Sequence, residues 1–360
     1  MKIAVGLSGG FDSSIAAYLL AKKGYELIGV TMRIWDGKIS CTTKKNACYG
    51  PDEEKDIEFA QKISEKLSIP HYVIDLRDEY REFVLNYFFL EYRKGRTPNP
   101  CVVCNSKIKF GFLIEKVRSL GLDFDCFATG HYARIEFDPE RKRYHLKRGV
   151  DEQKDQSYFL YRLTQDQLKT ILFPLGDFRK NELKMKALDF GLEELAKRRE
   201  SQDFFADDYR LLFEDCGEPG NIVDVYGNVI GRHKGICHYT VGQRRYLNLA
   251  GLKEPYYVLK IDPERNEIVA GPKRYLFSSS LLAKDLNWLL PPEEVKGKKV
   301  FAKVRSTARL AECTFDFVED MIVVRFTQPQ EGITPGQSVV LYDGEVVIGG
   351  GIIESYLSYE

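Results

Sequence analysis

The stretch "LSGGFDSS", residues 7–14, constrains the fold of this chain more than any other feature. The apolar run Ile3-Ala4-Val5 leads into it, and the amphipathic run Ile15-Ala16-Ala17-Tyr18-Leu19-Leu20 leads out. A glycine-rich turn between a strand and a helix is a phosphate-binding element, because the free amides and the dipole of the helix favour an anion there. Gly9 and Gly10 let the backbone close on the phosphate, and Ser8, Ser13 and Ser14 offer hydroxyls. Asp12 would repel a bare phosphate, so its place is understood if it meets Mg²⁺ carried by the phosphates. No lysine stands in the loop, which excludes a Walker A element, and the Gly-x-Gly-x-x-Gly dinucleotide fingerprint is absent as well.

Strands and helices alternate through the first half of the chain. "ELIGVTMRIW", "HYVIDL" and "CFATGHYARIEF" read as strands, and "PDEEKDIEFAQKISEKL" and "SKIKFGFLIEKVRSLG" as helices. This order predicts an α/β fold with a parallel sheet, with ligands gathered at the carboxyl ends of its strands. From about residue 220 the texture changes to alternating strands with tight Gly, Asp or Asn turns, which predicts small antiparallel barrels or sandwiches. Residues 1–212 are expected to form the catalytic domain, 213–283 a small central β-rich domain, and 284–360 a C-terminal β-barrel.

The formal net charge is zero, so a nucleic-acid partner would have to be met by local basic clusters rather than a bulk field. Three such clusters stand out: Arg232, His233 and Lys234; Arg244 and Arg245; Arg305 and Arg309. The chain opens directly into a strand, and no apolar run approaches the roughly 20 residues that span a bilayer, so a cytoplasmic, membrane-free protein is expected.

The eight cysteines are therefore expected to be reduced. Cys126 and Cys313 lie in strand patterns as small core residues. Cys101 and Cys104 are different. They lie two residues apart in "GRTPNPCVVCNSKIKFG", at the entry to a helix, where a thiolate is favoured and the pKa lowered. The spacing also suits two ligands of one metal or iron–sulfur cluster, and Cys41 and Cys48 follow the second strand toward the same crevice.

The first loop resembles that of the PP-loop ATP pyrophosphatases, which split ATP between the α and β phosphates and transfer AMP to a substrate oxygen. Taken with "TPNP", "CNSKIKF", "ATGHYAR", "KDQSYFL" and "TPGQSVVLYDGEVVIGGGII", the chain resembles the bacterial and organellar tRNA-specific 2-thiouridylases over nearly its whole length. The resemblance implies a PP-loop (HUP-like) domain followed by smaller β-rich domains, and exchange of the C2 oxygen of wobble uridine 34 for sulfur. It implies ATP contacts at Gly6, Leu7, Ser8, Gly9, Gly10, Asp12, Ser13, Met32 and Gly130. It implies tRNA contacts at Asn99, Pro100, Cys101, His131, Lys154, Asp155, Gln156 and Gln337, to which Arg305 is added from its basic cluster. Cys104 matches the sulfur-handling nucleophile, with Cys101 and Asp12 beside it in the catalytic set. A sulfur-carrier protein, a cysteine desulfurase or free sulfide would supply the sulfur.

Two departures from the family pattern matter. Cys101 stands where many members have Asp, and Phe205, in "RESQDFFADD", stands where they have a distal cysteine. Two schemes replace the missing thiol. In one, Cys101 resolves a persulfide on Cys104. In the other, Cys101, Cys104 and either Cys48 or Cys41 hold a [4Fe–4S] cluster. The rival readings are another adenylating ligase or amidotransferase of the PP-loop type, and a non-catalytic, redox-sensing tRNA-binding protein. Tyr132 is a candidate for stacking on a splayed base.

Overall fold

The computed structural model describes residues 1–38, 47–192, 203–205, 208–213 and 216–358. Cys41 lies outside the described residues. The chain divides into two compact units: residues 1–84, 101–209 and 345–347 form the first, and residues 85–100, 210–344 and 348–360 the second.

The first unit is built on a parallel sheet in the order His71–Asp75, Glu26–Arg33, Lys2–Gly6, Cys126–Ala128 and Ile171–Leu172. Ile3 and Val5 are fully buried and pack with Ala17, Leu20, Leu27 and Ala60, so the first strand is covered from both the loop's own helix and the next. The helix Phe11–Lys22 buries Phe11, Ile15 and Ala16 in a second cluster with Ile63, Tyr132 and Leu183. The reading of "CFATGHYARIEF" as a single strand is corrected. The run breaks at Thr129–Tyr132, after which Ala133–Asp138 turns away to pair antiparallel with Arg143–Arg148. The break leaves Gly130 and His131 at the carboxyl end of the sheet. A small two-stranded parallel sheet joins Ala47–Tyr49 to Asp203–Phe205, with Tyr49 opposite Phe205.

In the second unit, Val229–His233, Gly220–Val223, Glu267–Pro272 and Tyr256–Asp262 form a four-stranded sheet in that order. Six further strands close on themselves, because Phe277–Trp288 pairs with Met321–Glu331 on one side and with the last strand, Val346–Ser358, on the other. Residue 284, the expected start of the C-terminal domain, falls inside the strand Phe277–Trp288. Residues 85–100 belong with this unit. Phe88 and Tyr92 pack on Phe213 at centroid distances of 5.7 and 5.4 Å, and Arg96 pairs with both Glu91 and Glu354.

Cys313 is buried in a strand as expected, and burial pushes its thiol up to about 12. Cys126 is only half-buried, and burial raises its pKa as well. The expectation that all thiols are free fails at one place: Cys216 and Cys237 are joined as a disulfide, because the two ends of the hairpin formed by Gly220–Val223 and Val229–His233 bring their Cα atoms to 5.3 Å.

Candidate active site

The loop of residues 7–14 sits at the carboxyl end of the first strand, where parallel-sheet proteins bind ligands. Gly10 caps the helix Phe11–Lys22 with extended backbone and no side-chain cap, so the first-turn amides keep no internal acceptor. The serine hydroxyls preorganise the loop. Ser13 Oγ accepts from the Ser8 amide at 3.1 Å and lies 3.2 Å from Ser8 Oγ, while Ser13 and Ser14 both donate to the Gly10 carbonyl. Two glycines are demanded by space. Gly9 has φ +68°, and a Cβ there would lie 2.3 Å from the Asp56 carbonyl oxygen. At Gly130 a Cβ would meet the backbone of Asp12 and Ser13 at 2.6 and 2.7 Å. Gly130 is therefore the back wall of the loop. Met32 stands half-buried near the end of the second strand.

Asp12 is not left facing solvent alone. Lys180 Nζ donates to its Oδ1 at 2.6 Å, and the Tyr132 hydroxyl donates to the same oxygen at 2.7 Å. Lys180 itself is buried and lies over the Phe11 ring at 4.3 Å. It begins the helix Lys180–Asp189, so only the folded chain brings it to the loop. Tyr132, expected to stack on a base, is buried and committed to Asp12.

The thiols gather beside a lysine that the sequence reading passed over. Cys104 is buried at the start of a π-helical stretch, Cys104–Phe112, that follows the short turn of helix Pro100–Val103. Such wide turns recur at functional sites because they re-aim side chains. Burial pushes the Cys104 thiol up to about 11, against the opposing pull of Lys109 and with the added repulsion of Cys48. The expected lowering of this pKa is thus reversed, because desolvation outweighs the pull of Lys109. At Lys109 burial acts to lower the pKa, but the charges of Cys104, Cys48 and Cys101 outweigh it and raise it. The same three sulfurs, after burial, lift the fully buried Tyr80 phenol well above its ordinary value. Cys48, Cys101 and Cys104 thus act electrostatically on both Lys109 and Tyr80, although among the described residues their sulfurs do not all lie within 4.8 Å of one another. Cys48 stands on the strand Ala47–Tyr49, next to the residue that faces Phe205. Phe205 is buried and packs on Tyr49 at 6.2 Å.

His131 joins the two centres. It follows Gly130, bonds to Thr129 Oγ1 through Nδ1 at 2.7 Å, and packs on the rings of Phe110 and Phe173 at 5.8 and 5.7 Å. Burial, and then Lys109, hold it well below the usual histidine range, so it is neutral. Gly130 thus backs onto Asp12 of the loop, and the adjoining His131 packs on Phe110 of the stretch that begins at Cys104.

Other expected contacts take supporting positions. The buried Asp155 carboxylate accepts from the amides of Gly149 and Ser157, and Gln156 Oε1 accepts from the Tyr132 amide. These side chains fix the turn that carries Lys154. In the second unit, Gln337 Nε2 donates to the carbonyls of Thr97 and Pro98 at 3.0 and 3.1 Å. Gly336, at φ +92°, would place a Cβ 2.9 Å from Thr97, whose amide donates to the Pro335 carbonyl. "TPGQ" is thus a clamp on "TPNP", the segment carrying Asn99 and the buried Pro100. Arg232, Lys234, Arg244, Arg245, Arg305 and Arg309 are exposed. His233 leaves this basic set: it is buried, with Nε2 bonded to the Asn266 carbonyl and Nδ1 accepting from Gly235, and burial lowers its pKa. Among the described residues, no helix is long and apolar enough to cross a membrane.

Fold and site together define an α/β nucleotide-binding domain of the PP-loop type, followed by β-rich domains. Residues 1–205 match the tRNA methyl transferase HUP domain, 214–272 the tRNA methyl transferase PRC-barrel domain, and 278–353 the aminomethyltransferase β-barrel domain. The chain is 47% identical over 359 residues to the tRNA-specific 2-thiouridylase MnmA of Endomicrobium trichonymphae, covering 98% of this chain and 99% of the relative. It is 47% identical over 365 residues to the tRNA-specific 2-thiouridylase MnmA 2 of Thermoanaerobacter sp. strain X514, covering 99% and 98%. It is 44% identical over 362 residues to the MnmA of Acetivibrio thermocellus, covering 98% and 99%. The chain belongs to the tRNA-specific 2-thiouridylase family.

Proposed function

We propose that this chain is a tRNA-uridine 2-sulfurtransferase that uses ATP to exchange the C2 oxygen of the wobble uridine for sulfur, acting in the cytoplasm. The packing of Gly130 on the phosphate loop, with the adjoining His131 against Phe110 of the stretch that begins at Cys104, carries this reading. It argues against a simple ligase, which has no use for a thiol set beside its adenylation site.

The loop of residues 7–14 grips the leaving pyrophosphate, and the helix start and serine hydroxyls stabilise its charge. Asp12, held by Lys180 and Tyr132, turns its remaining oxygen to the Mg²⁺ that accompanies ATP. The wobble uridine is flipped out of its stack, because C2 is unreachable within it. Its O2 attacks the α phosphorus, pyrophosphate leaves, and the base carries AMP on O2. A sulfur nucleophile at the thiol set attacks C2, and AMP departs with the former base oxygen. Lys109 stands where it can neutralise negative sulfur. Asn99 and Pro100, fastened by Gln337, present the segment leading to Cys101, and the exposed arginines and lysines meet tRNA phosphates.

Of the two schemes for sulfur delivery, we favour the three-thiol one. Cys48 is the third member, compensating Phe205 from the adjacent strand. Cys48, Cys101 and Cys104 would be the residues to hold a [4Fe–4S] cluster, and such a cluster when bound would supply an open iron that carries hydrosulfide. Anaerobic iron and sulfide analysis tests this. About four irons in the wild type, and fewer in Cys48→Ser, are expected; full thiolation by a colourless, iron-free protein would leave the persulfide scheme standing. The immediate sulfur source is separated by supplying free sulfide or a desulfurase with cysteine.

A further inference from the structure

We propose that Cys216, Cys237 and His238 form a second metal site in the four-stranded sheet domain, one that takes a zinc-type cation when its thiols are reduced. Cys216 lies just before the strand Gly220–Val223, and Cys237 and His238 lie in the turn Ile236–His238 after the strand Val229–His233. Because Gly220 stands opposite His233 in this antiparallel pair, the two segments meet at the open end of the hairpin. The two sulfurs and one imidazole nitrogen all lie within 4.8 Å of one another. His238 Nδ1 is 3.6 Å from Cys216 Sγ. For Zn–S of about 2.3 Å and Zn–N of about 2.0 Å at a tetrahedral angle, the sulfur–nitrogen edge is about 3.5 Å. The imidazole and Cys216 therefore already have the spacing of two ligands on one ion.

The surroundings hold this arrangement. Gly235, at φ +114°, lets the turn close on Cys216: a Cβ there would lie 2.7 Å from the Cys216 carbonyl oxygen. The Gly235 amide donates to His233 Nδ1, His233 Nε2 bonds to the Asn266 carbonyl, and the Asn266 amide donates to the Glu218 carbonyl. Both segments that carry ligands are thus tied to one hydrogen-bond network.

In the structure Cys216 and Cys237 are joined as a disulfide. A dithiol reductant of the cytosolic kind opens it, giving two electrons and two protons and becoming a disulfide itself. Binding of the cation then displaces both thiol protons, leaving two thiolates, a neutral imidazole and a fourth position for water. The ion would tie the chain across the same 21-residue separation that the disulfide spans.

The test uses the full-length protein, reduced and held without oxygen, with Co²⁺ alone as the probe. The proposal expects one Co²⁺ with tetrahedral thiolate absorption in the Cys48→Ser/Cys101→Ser/Cys104→Ser triple variant. It expects that signal to be lost when Cys216→Ser or Cys237→Ser is added, and at least about tenfold weaker affinity with His238→Gln. A variant at 216 or 237 that fails to fold does not decide the matter, so a second readout uses the wild-type pair. Zn²⁺ should slow alkylation of Cys216 and Cys237, mapped by peptide mass, at least about tenfold. No tetrahedral signal in the triple variant, or alkylation unaffected by Zn²⁺ after both thiols are shown to be free, would overturn the site.

Discussion

Replacing Gly130 by Ala should disable the enzyme through a single methyl group. The new Cβ would sit 2.6 Å from the Asp12 carbonyl carbon, 2.7 Å from the Ser13 nitrogen and 2.8 Å from the Asp12 oxygen. Comfortable contact for such atoms begins at about 3.5 Å, so something must yield by nearly 1 Å. All three atoms are backbone, so no side chain can rotate away. Retreat is also blocked on another side of the loop, where Gly9 is pressed against the start of the helix Glu53–Leu67. The overpacking itself costs about 1–3 kcal/mol, read as a shift in the urea midpoint. The larger effect falls on chemistry: moving a phosphate grip by about 1 Å costs on the order of 10²-fold in rate. The assay is tRNA-dependent pyrophosphate release, with folding checked by circular dichroism. A Gly130→Ala protein with the wild-type rate and midpoint would refute the claim that this wall positions the loop.

Lys180→Met removes the cation from Asp12, and pyrophosphate release should fall by about 10²–10³-fold while the fold persists by circular dichroism. Gln337→Ala should leave ATP affinity in equilibrium dialysis unchanged yet lower thiolation by up to about 30-fold, since the lost bonds to Thr97 and Pro98 are worth about 1 kcal/mol each. Because burial holds the Cys104 thiol protonated up to about 11, its alkylation in the free protein should be slow at neutral pH and rise about tenfold per pH unit toward that value. Lys109→Met should push the profile higher still, because the ammonium is the group that lowers it. Arg305→Ala should weaken tRNA binding and reduce the slope of log affinity against log salt by about 1, measured by filter binding.

The sequence made the sheet and its loop legible because both obey local rules. Apolar runs and a glycine–serine turn specify a strand, a phosphate grip and a helix within the first 22 residues. The Cys101–Cys104 pair was equally plain. What stayed hidden depends on distant pairing. Lys180 stands 168 residues from Asp12, at an ordinary helix start, and nothing local marks it. Lys109 lay within the quoted motif, yet its role follows only from the thiols that surround it. The strand Ala47–Tyr49 pairs with Asp203–Phe205 and so sets Cys48 near Phe205, a placement only the fold reveals; Cys41 lies outside the described residues. The sequence also did not show that His233, Asp155 and Gln156, read as meeting tRNA, make internal hydrogen bonds in the fold. Residues 85–100 were read with the catalytic domain, but their aromatic and Arg96 contacts are long-range and place them with the second unit.

The most direct test of the account follows one atom. Unmodified tRNA carrying oxygen-18 at C2 of uridine 34 is incubated with the protein, ATP, Mg²⁺ and a sulfur source, and the released AMP is weighed by mass spectrometry. Attack of the base oxygen on the α phosphorus predicts that AMP gains the heavy oxygen in step with 2-thiouridine formation. AMP that remains light while thiolation proceeds would contradict it.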